Sequence, residues 1–197
     1  MRMDVIRVLT VDDRPGLRAG VETVLRSAPG IASVGAASDE RELWPLLRHT
    51  RPEVVLMDYQ LPSTDGLLLC HRIKHSTRPP AVLVYSAYAD ASMAIAAQAA
   101  GADGLMDKSA ETSELEEAIR RVSRGDRLFP PIPEGLMADA VQRIEPEDRP
   151  ILGLLLAHAG MGDVAAAAGI PIDAAAGRVQ RLIRRLAVDV PAGRGGA

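Results

Sequence analysis

Five times in its first 124 residues the chain passes from a short apolar run to a stretch with helical periodicity. Val5 to Val11, Ile31 to Ala36, Val54 to Met57, Ala81 to Tyr85 and Asp103 to Met106 read as strands. Each is too short for a helix and rich in β-branched or small apolar residues. Between and after them come Arg14 to Ser27, Asp39 to His49, Asp65 to His75, Asp90 to Ala100 and Glu111 to Arg124. Leu17, Val21, Val24 and Leu25 mark one face of the first, and Leu115, Ala118, Ile119 and Val122 one face of the last. Ser38 or Asp39 is placed to cap the second, while Gly101 and Gly125 end the fourth and fifth. Strict β–α alternation with short connections permits few topologies. It predicts a doubly wound, five-stranded parallel α/β sheet with helices on both faces.

In such a sheet the strands deliver their C-terminal ends to one mouth, near the point where strand order reverses. Four of the five strands end on chemistry there. Asp12 and Asp13 follow the first, Asp58 the third, Ser86 the fourth, and Asp107-Lys108 the fifth. An Asp pair at a strand end is often only a solvated turn or cap. Here a third carboxylate, a hydroxyl and an ammonium converge from other strands. Three clustered carboxylates repel one another and call for a cation. A hard divalent ion with oxygen ligands, Mg²⁺, suits them. A carboxylate beside Mg²⁺ can attack phosphorus, while Lys and Ser hold the phosphoryl oxygens.

The runs VLTVDD (Val8 to Asp13), VVLMDYQLPSTDG (Val54 to Gly66), VYSAY (Val84 to Tyr88), AAGADGLMDK (Ala99 to Lys108) and ELEEAIRRVSRG (Glu114 to Gly125) occur in this order. Together they resemble the flavodoxin-like receiver domain of bacterial two-component response regulators, over roughly Val5 to Arg124. The resemblance implies that Asp58 is the phosphoacceptor. Asp12 and Asp13 become metal ligands or orienters, with the backbone carbonyl of Gln60 as a further ligand to Mg²⁺. Ser86 becomes the switch hydroxyl and Lys108 the phosphate-pairing ammonium. The implied partner is a sensor histidine kinase, with homodimerisation on phosphorylation. Leu105 departs from the pattern, since relatives usually carry an aromatic residue there; Tyr85 and Tyr88 are the candidates to replace it. A haloacid-dehalogenase-like phosphatase also uses an Asp nucleophile and Mg²⁺. It wants D-x-D after the first strand, which Asp12-Asp13-Arg14 does not supply.

Composition changes after residue 124. Pro130, Pro131 and Pro133 stop any continuing helix, so 125–143 is expected to be a linker. Beyond it, Glu147 to Ala157, Gly162 to Ala168 and Ile172 to Leu186 read as three helices, and 191–197 as a disordered tail. The apolar skeleton of 144–190 runs from Ile151, Leu152 and Leu155 through Val164 and Ile170 to Val179, Leu182, Ile183, Leu186 and Val188. It resembles the LuxR-type helix-turn-helix of the NarL/FixJ regulators. The polar signature differs: Ala174-Ala175-Ala176-Gly177-Arg178 stands where relatives read Thr-Val-Lys-x-His. From Asp173 to Val188 there are four arginines and one aspartate, and Arg178, Arg181 and Arg185 fall to one side of the apolar stripe. These three are the candidate DNA contacts, on promoter phosphates above all. The resemblance thus implies transcriptional control rather than enzymatic turnover. A degenerate helical domain that binds a protein partner is the alternative.

The formal net charge of −3 confines any nucleic-acid surface to a local patch. Cys70 is the single cysteine, so there is no disulfide framework. No apolar run approaches the ~18–20 residues of a membrane span, and the start lacks the shape of a signal peptide. A reducing, cytoplasmic setting is expected. His49, His71, His75 and His158 do not share a ligand spacing and are expected at the surface or in interfaces.

Overall fold

The computed structural model describes residues 5–62 and 64–187. Five strands, β1 (Ile6–Val11), β2 (Ile31–Ala37), β3 (Val54–Asp58), β4 (Ala81–Ser86) and β5 (Gly104–Asp107), form one sheet in the order β2-β1-β3-β4-β5. Every pairing is parallel. The connecting helices are α1 (Pro15–Ser27), α2 (Glu40–Thr50), α3 (Gly66–Lys74), α4 (Ala91–Ala99) and α5 (Thr112–Ser123). Strand order reverses between β1 and β3, which opens the crevice beyond their C-terminal ends.

Alternate residues of the central strands supply two cores. Val8, Leu56 and Leu83 pack with Val21 and Leu25 of α1 and Ile119 of α5. Leu9, Val55, Met57 and Val84 pack on the other face with Leu43, Leu69, Ile73 and Ile95, from α2, α3 and α4. Short acidic side chains start the helices. Asp39 accepts from the backbone N–H groups of Arg41 and Glu42, Asp65 from that of Leu67, and Asp90 from that of Met93. Pro15 opens α1, where its missing N–H costs nothing.

The segment expected to be a linker contains a ten-residue helix, α6 (Glu134–Arg143). Pro133 sits at its N-cap, so the prolines precede the helix rather than interrupt it. A 3-10 turn at Pro146–Asp148 leads into α7 (Arg149–Leu156), α8 (Met161–Ala168) and α9 (Ile172–Leu186). Gly169 ends α8 in the left-handed conformation, at φ +64°. Val188 and the expected tail lie outside the described residues.

The C-terminal helices continue the second core without a break. α4 packs against α6, α7 and α9 as well as β5, and α3 packs against α9. Val179, Leu182, Ile183 and Leu186 of α9 belong to the same apolar cluster as Met93 and Ile95 of α4. This explains the composition of α4, whose Met93, Ala94, Ile95, Ala96, Ala97 and Ala99 are all buried. A helix covered on both sides has no polar face to show.

Candidate phosphoryl-transfer site

The strand registers bring the acidic residues together. Val11 pairs with Met57, so Asp12 emerges beside Asp58. Asp58 pairs with Tyr85 and Ser86 with Asp107, so the hydroxyl and Lys108 arrive from the neighbouring strands. Two backbone bonds fix the mouth: Asp12 N–H donates to the Ala37 carbonyl at 3.1 Å, and Lys108 N–H to the Ser86 carbonyl at 2.9 Å.

Asp12 and Asp58 are 2% and 4% exposed, while Asp13 is half-buried. Lys108 bridges the buried pair, its Nζ 2.7 Å from Asp12 Oδ2 and 2.8 Å from Asp58 Oδ2. Asp58 Oδ1 accepts the Gln60 N–H at 3.2 Å. Asp58 Oδ2 lies against the Lys108 ammonium, which donates a hydrogen bond to Asp12 Oδ2. The two carboxyls respond differently to burial. At Asp12 burial works to raise the pKa, but bonds from Lys108 and the Arg14 N–H outweigh it and hold the group below its usual range. At Asp58 burial prevails over Lys108, and the pKa is raised. A carboxylate in this setting is of the kind that can attack phosphorus when it is ionised.

One carboxylate oxygen each from Asp12, Asp13 and Asp58 lies within 4.8 Å of the other two. This all-oxygen set fits a hard divalent cation. Ser86 is buried, and its Oγ accepts the Tyr88 N–H at 3.1 Å. Gln60 opens a tight loop closed by its bridge to Asp65. Gly66 completes that loop; a Cβ there would meet the Asp58 carbonyl oxygen at 2.2 Å. The five side chains expected at the mouth thus share one site, with Gln60 beside it.

One participant escaped sequence reasoning. Arg14 lies 3.5 Å from Asp12 and 3.6 Å from Asp58, a second cation at the mouth. Its position directly after Asp13 and before the Pro15 helix start was the available signal. Tyr85 is buried, with its hydroxyl donating to the Lys108 carbonyl at 3.3 Å, whereas Tyr88 is exposed and Leu105 buried. Of the two aromatic candidates, Tyr85 is the one in contact with the Lys108 backbone. His71 corrects another expectation: it is buried, tilted against the His75 ring at 4.2 Å, and its Nδ1 has no hydrogen bond.

The candidate DNA contacts are distributed unevenly on α9. Arg178 is half-buried and paired with Asp148. Arg185 is paired with Glu145 at 2.8 Å. Arg181 is exposed and has no ion-pair partner among the described residues.

The sequence matches the response regulator receiver domain over residues 8–120. The chain belongs to this family. As a whole the response regulator is 27% identical to the probable transcriptional regulatory protein NarL of Mycobacterium tuberculosis, over 93% of this chain and 88% of that one. A crystal structure of a LuxR-family two-component response regulator from Aurantimonas sp. SI85-9A1 is 31% identical, with a TM-score of 0.60. It covers 72% of this chain and 99% of its own. The response regulator ChrA of a heme-sensing two-component system, also solved as a crystal, is 28% identical with a TM-score of 0.56. That match covers 94% of this chain and 92% of ChrA, and so reaches the C-terminal helices. No helix among the described residues is long and apolar enough to cross a membrane.

Proposed function

We propose that this response regulator accepts a phosphoryl group on Asp58 from a sensor histidine kinase and controls transcription through its C-terminal helices. The observation that carries the reading is the buried Asp12–Lys108–Asp58 bridge, set at the ends of three strands. A carboxylate oxygen of Asp58 attacks phosphorus, the new O–P bond forms, and the N–P bond to the kinase imidazole breaks. The departing nitrogen keeps the electron pair. Lys108 shifts its charge from Asp58 to a phosphoryl oxygen, and the Ser86 hydroxyl donates to another. Asp12, Asp13, Asp58 and the Gln60 carbonyl would hold Mg²⁺, which supplies charge neutralisation for the incoming phosphoryl oxygens.

The signal has a short path to the output. Ser86 holds the Tyr88 N–H, and two residues later Asp90 caps α4. Recruiting the Ser86 hydroxyl to the phosphoryl group frees Tyr88 and shifts the start of α4. α7 and α9 rest on that helix, so their packing is biased and α9 becomes available to DNA, with the regulator pairing as a homodimer. Residues 1–124 then act as the receiver and 144–190 as the output domain.

The test is anisotropy of labelled promoter DNA with the full-length protein, with and without a small phosphodonor and Mg²⁺. Phosphodonor should tighten a salt-sensitive binding, and Asp58→Asn should abolish that gain. Arg181→Ala should weaken binding to all sequences and lower the salt slope by ~1. Arg181 is the informative position because Arg178 and Arg185 are engaged with Asp148 and Glu145. If the phosphorylated protein shows no salt-dependent DNA binding at low ionic strength, the output is a protein partner instead.

A further inference from the structure

At the opposite end of the sheet from Asp58, a cavity of ≈ 790 Å³ opens between the C-terminal end of α2 and the loop joining α3 to β4. Trp44, Leu47, Pro52 and Pro80 give it an apolar floor. Arg48, Arg51 and Arg78 stand around it, all exposed and none with a carboxylate partner among the described residues. Arg7 also lines the cavity, but Glu53 holds it through bonds of 2.7 to 3.2 Å. Three guanidinium groups around one apolar hollow repel one another, and no carboxylate among the described residues offsets their charge.

The backbone adds an independent observation. Arg51 and Arg78 have φ of +47° and +57°, a region unfavourable to side chains other than Gly, Asn and Asp. Only three non-glycine residues among those described adopt positive φ, and two line this cavity. Arg51 occupies the C-cap of α2, where glycine or asparagine would serve the helix better.

We propose that this cavity binds a nucleoside di- or triphosphate. The volume falls within the ~300–1,000 Å³ typical of small-ligand sites. Forked guanidinium groups suit phosphoryl oxygens, and three of them match a ligand with more than one phosphoryl group. An inorganic polyanion would leave the Trp44–Pro52 floor unfilled, and a neutral hydrophobe would leave the arginines unpaired. A flat base on the floor with phosphates at the rim satisfies both.

Trp44 is the single tryptophan of the chain, so its fluorescence reports on the cavity directly. The experiment titrates ATP, GTP and inorganic pyrophosphate into the full-length Asp58→Asn protein without Mg²⁺, with calorimetry as a second readout. That background removes any contribution from the phosphoacceptor. ATP or GTP should give a saturable signal below millimolar concentration, with pyrophosphate at least about tenfold weaker. The exposed double variant Arg48→Gln/Arg78→Asn should lose at least about tenfold in affinity, as expected when charge-assisted bonds are removed. Asn tolerates the backbone at position 78, and the single Arg48→Gln variant should lose part of the same affinity without touching that backbone. No saturation by either nucleotide, unchanged affinity in the arginine variants, or pyrophosphate binding as tightly as ATP would overturn the proposal.

Discussion

Replacing Lys108 with methionine removes the ammonium that bridges Asp12 and Asp58 while keeping a side chain of similar length. The carboxylates left behind are almost fully buried, with oxygens no more than 4.8 Å apart. At an effective dielectric of ~20, two unit charges at that distance repel by about 3.5 kcal/mol. Breaking a buried ion pair costs about 3–5 kcal/mol in general, which agrees in size. Arg14 remains within 3.6 Å of both but is half in solvent, so it offsets only a fraction. Urea unfolding near neutral pH should therefore show Lys108→Met less stable by about 3 kcal/mol. Two conditions should restore it. Saturating Mg²⁺ replaces the missing positive charge. Acidification does the same by protonation: without the ammonium both folded-state pKa values rise. Their contribution to stability is then present below the unfolded carboxylate range of ~4 and lost as pH climbs through the raised values. A deficit under about 1 kcal/mol, or one equal with and without Mg²⁺, would refute the reasoning.

Gly66→Ala should destabilise by at least about 2 kcal/mol in a melting experiment, because its Cβ would lie 2.2 Å from the Asp58 carbonyl oxygen. Gly16→Ala, with nothing within 4 Å, is the matched control. Burial holds His71 near a pKa of about 4. Its folded pKa is depressed below an unfolded value of ~6.5, so stability is full above that pH and falls as pH drops toward 4. His71→Gln should flatten that segment of the stability–pH profile. Tyr88 stands two residues beyond Ser86 and is exposed at the mouth. Tyr88→Ala should speed loss of the acyl phosphate by opening the approach to water, measured as the decay of labelled protein; an unchanged or slower decay would show that the ring does not shield the phosphoryl group.

The sheet and the site were legible because parallel topology and strand ends are both sequence-local signals. A β-branched run ending in Asp, Ser or Asp-Lys carries its own address in the fold, and Asp12, Asp58, Ser86 and Lys108 needed no long-range knowledge. The packing of the C-terminal helices was less accessible. The sequence of α4 predicts a helix, and its lack of a polar face implies a cover, which α7 and α9 supply. α6 was hidden by Pro130, Pro131 and Pro133, although Leu136, Met137, Ala140 and Val141 after them keep helical spacing. Arg178 looked like a free phosphate contact. Its partner Asp148 is thirty residues away and meets it only after α7 and α8 have folded back. Ion pairs of that separation leave no periodic trace in the sequence.

The most direct measurement is mass spectrometric mapping of the phosphoryl group after incubation with a small phosphodonor and Mg²⁺. The expected result is a single base-labile acyl phosphate on the peptide containing Asp58, absent from Asp58→Asn and sharply reduced in Asp13→Ala. No phosphoryl group on the wild-type protein, or one that persists undiminished in Asp58→Asn, would contradict the assignment of Asp58 as the acceptor.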